Sequence, residues 1–378
     1  MKNGDHRAAD FLSAEFKKAG LTGPVQGGYF QGFAFPVNTF PTRLKVGLNK
    51  KQLEAGEDFI VHPGSPSCQG NYPVLRITRG PAHYRAEDLA GKWLLLDTSR
   101  AGNEIGKAEF REWVKHPPGG KGLLIVEPAK LTWSVSTSLN KSPVIYVLKK
   151  ALPDTVFSLD IDIRSEFREH HTTRNVIGMI EGSTHKDSLL FICAHYDHLG
   201  RMGRKTYFPG ANDNASGIAM LLNLARHYSK HRPACSMVFV AFAGEEAGLL
   251  GSKYYTEHPL WPMSHIRFLL NLDLLGTGEE GLMVVNASLF PDLFARLDSV
   301  NREKMFLPQL GKRGPAANSD HYWFSEAGVP AFFCYTMGGI SAYHDIYDRE
   351  ETLPLTKFKE CFQLFTGFLD TLQPSNRN

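Results

Sequence analysis

Polar residues that suit a divalent metal ion collect at five places in the second half of the chain, each beside an apolar run. The places are His195-Tyr196-Asp197-His198, Asp213 in the loop from Gly210 to Gly217, Glu245-Glu246, Asp273, and Tyr343-His344-Asp345. Each has an ordinary explanation on its own, because helix caps and turns favour such residues. Together, two histidines and three carboxylates suit two zinc-like ions, which a bridging carboxylate can hold about 3.5–4 Å apart. We therefore expect a dinuclear metal site rather than a closed structural zinc site, which would favour cysteine.

The neighbours of these residues suggest hydrolytic chemistry. Asp197 lies two positions after His195, from where a carboxylate can accept the second ring N–H of a metal-binding histidine. Glu245 and Glu246 are adjacent and cannot point the same way, so one can bind metal while the other faces a substrate. A free carboxylate beside a water activated by metal is what a general base for hydrolysis needs.

The elements that must position these residues follow from the apolar pattern after about residue 160. Short apolar runs predict strands at Leu189–Ala194, Met237–Phe242, Phe268–Leu272, Met283–Asn286 and Val329–Tyr335. Helical periodicity predicts helices at Ile218–Tyr228 and Leu355–Leu372. This alternation predicts an α/β fold, with a mostly parallel mixed sheet covered by helices on both faces. Ligands bind outside the carboxyl ends of the strands in such a sheet, and the polar groups follow those ends. Two further runs, predicted to form a hairpin, are Leu159–Arg164 and Asn175–Ile180.

The first part of the chain has a different character. Ala8, Leu12, Phe16 and Ala19 recur at helical spacing, and Gly20 is placed to end that helix. The stretch from Gly27 to Pro41 is expected to lead out of the helix's domain. Residues 42–160 contain no cluster of histidine or acidic residues, and β-like runs occur at Tyr72–Thr78, Trp93–Asp97, Leu123–Val126 and Val144–Val147. We expect residues 1–41 to be the N-terminal helical part of the main domain, 42–160 a smaller β-rich insertion, and 161–378 the domain that carries the metal site.

Composition excludes some partners. The 378 residues carry a formal net charge of +3, which is nearly balanced and does not indicate a nucleic-acid partner. No apolar run approaches the roughly 18 residues of a membrane span. The N-terminal residues have no apolar segment typical of a signal peptide.

At the metal-binding positions the sequence resembles metallopeptidase family twenty-eight, the co-catalytic di-zinc aminopeptidases and their relatives. The matching stretches are Ala194 to His198, Gly210 to Gly217, Gly244-Glu245-Glu246, Asn271-Leu272-Asp273, Ser319-Asp320-His321 and Tyr343-His344. The resemblance covers roughly residues 165–378 and the N-terminal helix. Residues 42–160 are similar to the protease-associated domain often inserted in this family, through Asp88-Leu89-Ala90-Gly91-Lys92 and Gly119-Gly120-Lys121-Gly122.

The resemblance implies a role for each residue. His195 and Asp273 would bind one Zn²⁺, Glu246 and His344 would bind a second, and Asp213 would bridge the two. The catalytic residues would be Glu245, as general base and later proton donor to the leaving amine, and Asp197, which would orient His195. Asp348 matches a position where the family commonly has an acid, and a capping role is an equal alternative. Tyr343 and Ser319-Asp320-His321 would line or support the pocket. The histidines not needed as ligands, and expected to be structural, are His185, His198 and His321.

The function that the resemblance implies is a zinc-dependent exopeptidase acting on peptides, foremost an aminopeptidase. A carboxypeptidase or dipeptidase would use the same di-zinc site, and a glutaminyl cyclase-like acyltransferase shares the fold but uses one zinc. A binding protein without metal would have lost ligands or the base, and this sequence retains them. The family and its inserted domain are commonly extracytoplasmic, so we expect a periplasmic or secreted enzyme.

Overall fold

The computed structural model describes residues 3–24, 28–77, 84–97, 113 and 119–374. Within them, the strands are β1 Phe30–Thr39, β2 Lys45–Leu48, β3 Lys51–Gln52, β4 Phe59–Val61, β5 Cys68–Ile77, β6 Trp93–Leu96, β7 Gly122–Glu127, β8 Val144–Leu148, β9 Ser158–Ile163, β10 Glu166–Ile180, β11 His185–His195, β12 Gly200–Met202, β13 Thr206–Phe208, β14 Cys235–Phe242, β15 Ile266–Leu272, β16 Gly281–Val285, β17 Leu310–Lys312 and β18 Ala331–Met337. The α-helices are α1 Gly4–Lys18, α2 Ala86–Leu89, α3 Gly217–Lys230, α4 Leu250–Glu257, α5 Pro291–Lys304, α6 His321–Glu326 and α7 Phe358–Thr371.

The first of two large sheets carries the candidate site. Among the described residues it has eight strands in the order β1-β10-β14-β11-β15-β18-β16-β17. The four strands β14, β11, β15 and β18 are mutually parallel, so their carboxyl ends meet at one edge. Strand β10 is antiparallel to both β1 and β14, and β16 is antiparallel to β18 but parallel to β17. The predicted mixed α/β sheet is confirmed, and all five apolar runs predicted as strands after residue 188 are strands.

Helices cover both faces of this sheet because its central strands alternate their side chains. In β11, Leu190 and Ile192 pack with buried residues of α1, α3, α5 and α7. Leu189 and Phe191 pack on the other face with Tyr255 of α4 and Phe324 of α6. A strand buried on both faces reads as one continuous apolar run, which is why β11 could be recognised from the sequence.

The N-terminal part contributes a helix and an edge strand to the first sheet. The predicted amphipathic helix is α1, and Gly20 follows it with a φ of +83°. The segment expected to lead out of the domain instead contains β1, which pairs antiparallel with β10. Its register shifts between Phe35 and Val37, at Pro36, as expected for a proline that only an edge strand tolerates. The start of that segment, Gly27, lies outside the described residues.

The predicted hairpin of Leu159–Arg164 and Asn175–Ile180 is wrong. The two strands, β9 and β10, follow each other closely in the chain but belong to different sheets. β9 pairs with β2 and β5, whereas β10 pairs with β1 and β14. The chain therefore passes between the two sheets at residues 164–165.

The second sheet is built from residues between 45 and 163, in the order β3-β2-β9-β5-β6-β7-β8-β4 among the described residues. The four β-like runs predicted between residues 72 and 147 are its strands β5 to β8, which are parallel to one another; Thr78, at the end of one run, lies outside the described residues. One apolar cluster of this sheet also contains Leu199, Met202 of β12, Phe208 of β13 and Ile346, which lie in the segments that follow β11 and β18 of the first sheet. The two sheets thus share a buried cluster beside the candidate site.

No helix in the described ranges combines the length and apolar character needed to cross a membrane.

Candidate metal centre

The five predicted ligand positions meet at the carboxyl edge of the first sheet. They lie at the end of β11 (His195), directly after β15 (Asp273), in the turn after β14 (Glu246), in the irregular turn before α3 (Asp213) and in the loop after β18 (His344). The side chains of His195, Asp213 and Asp273 are almost completely buried. The neighbouring parallel strands therefore bring together residues that are up to 149 positions apart, as His195 and His344 are.

Asp213 lies between two groups of side chains. Its Oδ1 is 3.3 Å from Nε2 of His195, and that nitrogen is also 3.4 Å from Oδ2 of Asp273. Its Oδ2 is 3.0 Å from Nε2 of His344, which is also 3.2 Å from Oε2 of Glu246. Each group thus offers one imidazole nitrogen and one carboxylate, and the two groups share Asp213.

The loop that holds Asp213 is fixed by hydrogen bonds from buried polar groups. Asp348 accepts the backbone N–H of Asn212 at 2.7 Å on Oδ1 and that of Asp213 at 3.0 Å on Oδ2. Asn214 donates its side-chain amide to the carbonyl of Leu272 at 2.9 Å, and the Asp213–Asn214 peptide bond is cis. Asp348 therefore fixes the backbone on which Asp213 is carried, and both roles named for it from the sequence stay predictions.

Asp197 fixes the turn that carries the glutamates. Its Oδ1 accepts the backbone N–H of Glu245 and its Oδ2 that of Glu246, both at 3.2 Å. His195 donates Nδ1–H to the backbone carbonyl of Asp197 at 3.0 Å, while the nearest carboxylate oxygen of Asp197 is 4.0 Å from that nitrogen. The expected orientation of His195 by residue 197 is present, but the main-chain carbonyl supplies it, because the carboxylate is occupied by the glutamate turn.

Negative charge is concentrated in this buried region. Burial raises the pKa of Glu245 well above its usual value and that of Asp197 to about 6. Burial likewise raises the pKa of Asp273, and its Oδ1 has no hydrogen-bond partner among the described residues. Among the described residues the cationic partners of these acids are histidines, and acids packed together in a buried site are stable as anions only beside cations. The oxygen and nitrogen donors present therefore fit divalent metal ions.

His198, which we expected to be structural, contacts one of these groups. Its Nδ1–H donates to Oε1 of Glu246 at 2.7 Å and lies 3.9 Å from Oδ1 of Asp213. A Cβ on Gly210 would be 2.5 Å from the ring of His198, so the glycine makes room for it. In the sequence, this contact could have been inferred from the position of His198, three residues after His195 and in the same segment after the strand.

The segment Ser319-Asp320-His321 lies next to the two groups that share Asp213. Ser319 Oγ donates to Oδ2 of Asp273 at 3.4 Å. Asp320 is fully buried. Burial raises its pKa to about 7, although the charge of His195 acts in the opposite direction and lowers the pKa. His321 is buried in α6, and the third histidine expected to be structural, His185, is exposed at the start of β11. The segment supports the site, and Asp320 is one more buried acid beside it.

The approach to the site combines aromatic and apolar surfaces. The ring of Tyr343 stacks on that of His344, with centroids 4.0 Å apart, and the side chain of Tyr343 is partly exposed. A cavity of about 590 Å³ adjoins His198 and Gly244 and extends to Phe40 and Trp133. Its size lies within the range of small-molecule sites in proteins.

The fold is that of known zinc aminopeptidases. The structure of BSAP, a zinc aminopeptidase from Bacillus subtilis, matches with a TM-score of 0.76 at 22% identity, over 100% of this chain and 91% of that one. An aminopeptidase from Aneurinibacillus sp. strain AM-1 matches with a TM-score of 0.68 at 22% identity, over 97% and 88% of the two chains.

The chain belongs to Peptidase family M28, whose model matches residues 175–369, more than half of the chain. It is 30% identical to Aminopeptidase YwaD of Bacillus subtilis over 312 residues, which are 76% of this chain and 63% of that protein. It is 37% identical to a probable zinc metalloprotease of Pyricularia oryzae over 111 residues, which are 28% of this chain and 22% of that protein. The chain thus spans less than two thirds of the length of either relative.

Proposed function

We propose that the protein is a zinc-dependent aminopeptidase that removes N-terminal residues from peptides. The observation that carries this proposal is the position of Asp213 between two groups, each with one histidine and one further carboxylate, next to the buried Glu245. Membership of Peptidase family M28 and the likeness to an aminopeptidase of Bacillus subtilis support it.

Two Zn²⁺ ions per chain fit this arrangement. His195 and Asp273 would hold one, Glu246 and His344 would hold the other, and Asp213 would contact both. When bound, zinc supplies Lewis acidity, which lowers the pKa of water and polarises the carbonyl of the scissile bond.

The remaining steps belong to the side chains of this protein. Glu245 accepts a proton from the water that attacks the scissile carbonyl, and then delivers it to the leaving amine. A buried carboxylate whose pKa is raised by burial, as that of Glu245 is, is a stronger proton acceptor than an exposed glutamate and so suits the role of base. Asp197 keeps the carboxylate of Glu245 in place by accepting the backbone N–H of the glutamate turn.

An aminopeptidase is favoured over a carboxypeptidase or dipeptidase because a relative aligned over most of this chain is named an aminopeptidase. The test is zinc content together with hydrolysis of aminoacyl reporters, with and without a blocked amine. Two zinc equivalents with cleavage of free-amine substrates alone are expected. Cleavage confined to other peptides, or formation of pyroglutamate, would replace the proposal with a carboxypeptidase, a dipeptidase or a cyclase.

We also propose the division into a main domain, 1–41 with 161–378, and a protease-associated-like insertion, 42–160. Separate sheets in the two parts support this division, but with the second boundary moved to residues 164–165, because β9 (Ser158–Ile163) belongs to the second sheet. An extracytoplasmic, periplasmic or secreted location is proposed from the resemblance alone, and fractionation of the source cells tests it.

A further inference from the structure

A short segment next to the second sheet binds the loop that carries His344 through hydrogen bonds and an ion pair. We call residues 130–133 the clamp; they follow β7 and precede β8 in the chain. Lys130 donates from Nζ to the carbonyl of Ser341 at 2.7 Å and forms an ion pair with Oδ2 of Asp345 at 3.0 Å. The clamp therefore holds the loop on both sides of His344.

The same segment contacts His344 directly through two backbone groups. The N–H of Trp133 donates to the carbonyl of His344 at 2.8 Å, and Nδ1–H of His344 donates to the carbonyl of Trp133 at 3.0 Å. When the ring is neutral, the second bond keeps the hydrogen on Nδ1 and leaves Nε2 of His344 available to a metal ion. The imidazole is thereby oriented by residues outside the first sheet.

His344 needs such support because its backbone is in the left-handed region, with a φ of +53°. A residue other than glycine persists there only when its surroundings fix it. Asp345 supplies part of that fixation, because it accepts the N–H of Tyr347 at 2.9 Å and that of Tyr343 at 3.4 Å. The side chain of Asp345 is 8% exposed, so Lys130 is the cation that balances a nearly buried carboxylate.

The clamp is itself anchored in the second sheet. The indole N–H of Trp133 donates to the carbonyl of Val61, the last residue of β4, at 2.7 Å. The indole ring stacks on Phe208, with centroids 4.6 Å apart. Phe208 ends β13, shortly before the loop that holds Asp213. Trp133 thus contacts the second sheet and Phe208 through its side chain, and the loop of His344 through its backbone.

We infer that the second sheet is part of the metal centre, with Lys130 and Trp133 as positioning residues that set the affinity of the metal ion held by His344 and Glu246. This inference rests on the proposed di-zinc site. The alternative is that the second sheet only shields the site from solvent. In that case it would not orient a metal ligand.

The test is a zinc titration of the full chain against a competing chelator, with separate dissociation constants for the two equivalents. Lys130→Met removes the cation and leaves the backbone bonds of Trp133 possible. One equivalent is expected to bind about tenfold more weakly, the lower end of the effect of losing a partner of a metal ligand, while the other is unchanged. Lys130→Arg keeps the charge and should restore most of the affinity.

Lys141→Met, at an exposed lysine between β7 and β8, is the matched control and should bind both ions like the parent protein. Thermal unfolding of the metal-free proteins should show a lower midpoint for Lys130→Met, because Asp345 loses its cation, and no change for Lys141→Met. The inference would be overturned if both zinc dissociation constants were unchanged in Lys130→Met, or if both sites lost affinity equally. A parent protein that binds no zinc would instead overturn the proposed function on which it rests.

Discussion

Glu245 is the residue whose proposed role can be separated from metal binding. Its side chain lies within reach of His195 and Asp273, yet Asp273 and Glu246 already supply one carboxylate to each of the two groups that share Asp213. Glu245→Gln keeps the size of the side chain and removes its ability to take a proton. We expect two bound zinc ions and a fall in kcat of about 10²–10⁴-fold, measured with an aminoacyl reporter. Turnover within severalfold of the parent enzyme would exclude Glu245 as the base.

The proposed role of Asp213, unlike that of Glu245, cannot be separated from metal binding, because both proposed ligand groups share this carboxylate. Asp213→Ala removes one of the two carboxylates that contact Nε2 of His195 and one of the two that contact Nε2 of His344. We expect zinc content well below two equivalents after dialysis, measured by atomic absorption, since each ion loses a ligand. Two full equivalents in this variant would contradict the shared position of Asp213 in the metal site.

Protonation of His344 should couple metal binding to pH. Burial alone would lower the pKa of His344, but its hydrogen bonds with Asp213 and Glu246 outweigh burial and raise the pKa to about 10. In the metal-free protein near pH 7 this imidazole is therefore a cation, and it must lose a proton to bind a metal ion. Zinc binding should release at least one proton, and affinity should rise with pH below that pKa. Calorimetry in two buffers of different ionisation enthalpy measures the release, and its absence would contradict this assignment.

At the scale of elements, the start of α3 is packed too closely to accept any side chain. A Cβ on Gly217 would overlap the side-chain oxygen of Asn214 and lie 2.5 Å from the carbonyl oxygen of Leu272, the last residue of β15. Alanine favours a helix over glycine by about 1 kcal/mol, yet overpacking costs about 1–3 kcal/mol. We therefore expect Gly217→Ala to lower the free energy of unfolding in urea, measured with chelator present.

Gly4, at the start of α1, is the matched glycine, since a Cβ there would meet no atom within 4 Å. Gly4→Ala should leave the free energy of unfolding unchanged or raise it slightly. Equal stability of Gly217→Ala and the parent protein would mean that α3 can move away from β15 at no cost.

The elements also explain what could be predicted from the sequence. The central strands are apolar on both faces, so β11, β14 and β15 stand out, and their carboxyl ends locate the site residues that follow them. β1 was not predicted, because Gly32 and Pro36 interrupt the apolar pattern by which a strand is recognised in the sequence. The pairing of β9 and β10 with different sheets depends on distant partners that no local pattern encodes. Likewise, the carboxylate of Asp197 and the ring of His198 turn towards groups more than 40 residues away.

At the scale of the whole molecule, the second sheet and the first sheet enclose the site together. Their shared apolar cluster contains Phe208 and Ile346, which flank the loops of Asp213 and His344. Since hydrophobic contact and the clamp both join these loops to the second sheet, unfolding of that sheet would release two of the proposed ligands. Stability of the second sheet is thus a condition for the metal centre.

His62 makes that sheet sensitive to acid. It follows β4, and burial lowers its pKa from 6.5 to about 4. Its Nδ1 accepts the N–H of Gly64 at 3.0 Å, which requires the neutral ring. As pH falls below 6.5, the unfolded chain gains a proton on this histidine while the folded chain does not, so stability falls until pH reaches the folded pKa. From about pH 7 to about pH 5 this histidine should remove about 2 kcal/mol from the free energy of unfolding.

Urea unfolding of the parent protein and His62→Gln at both pH values measures the difference, with His185→Gln, at an exposed histidine, as the control. Equal losses in the parent protein and His62→Gln would show that His62 is protonated in the folded state, and acid sensitivity would then arise elsewhere.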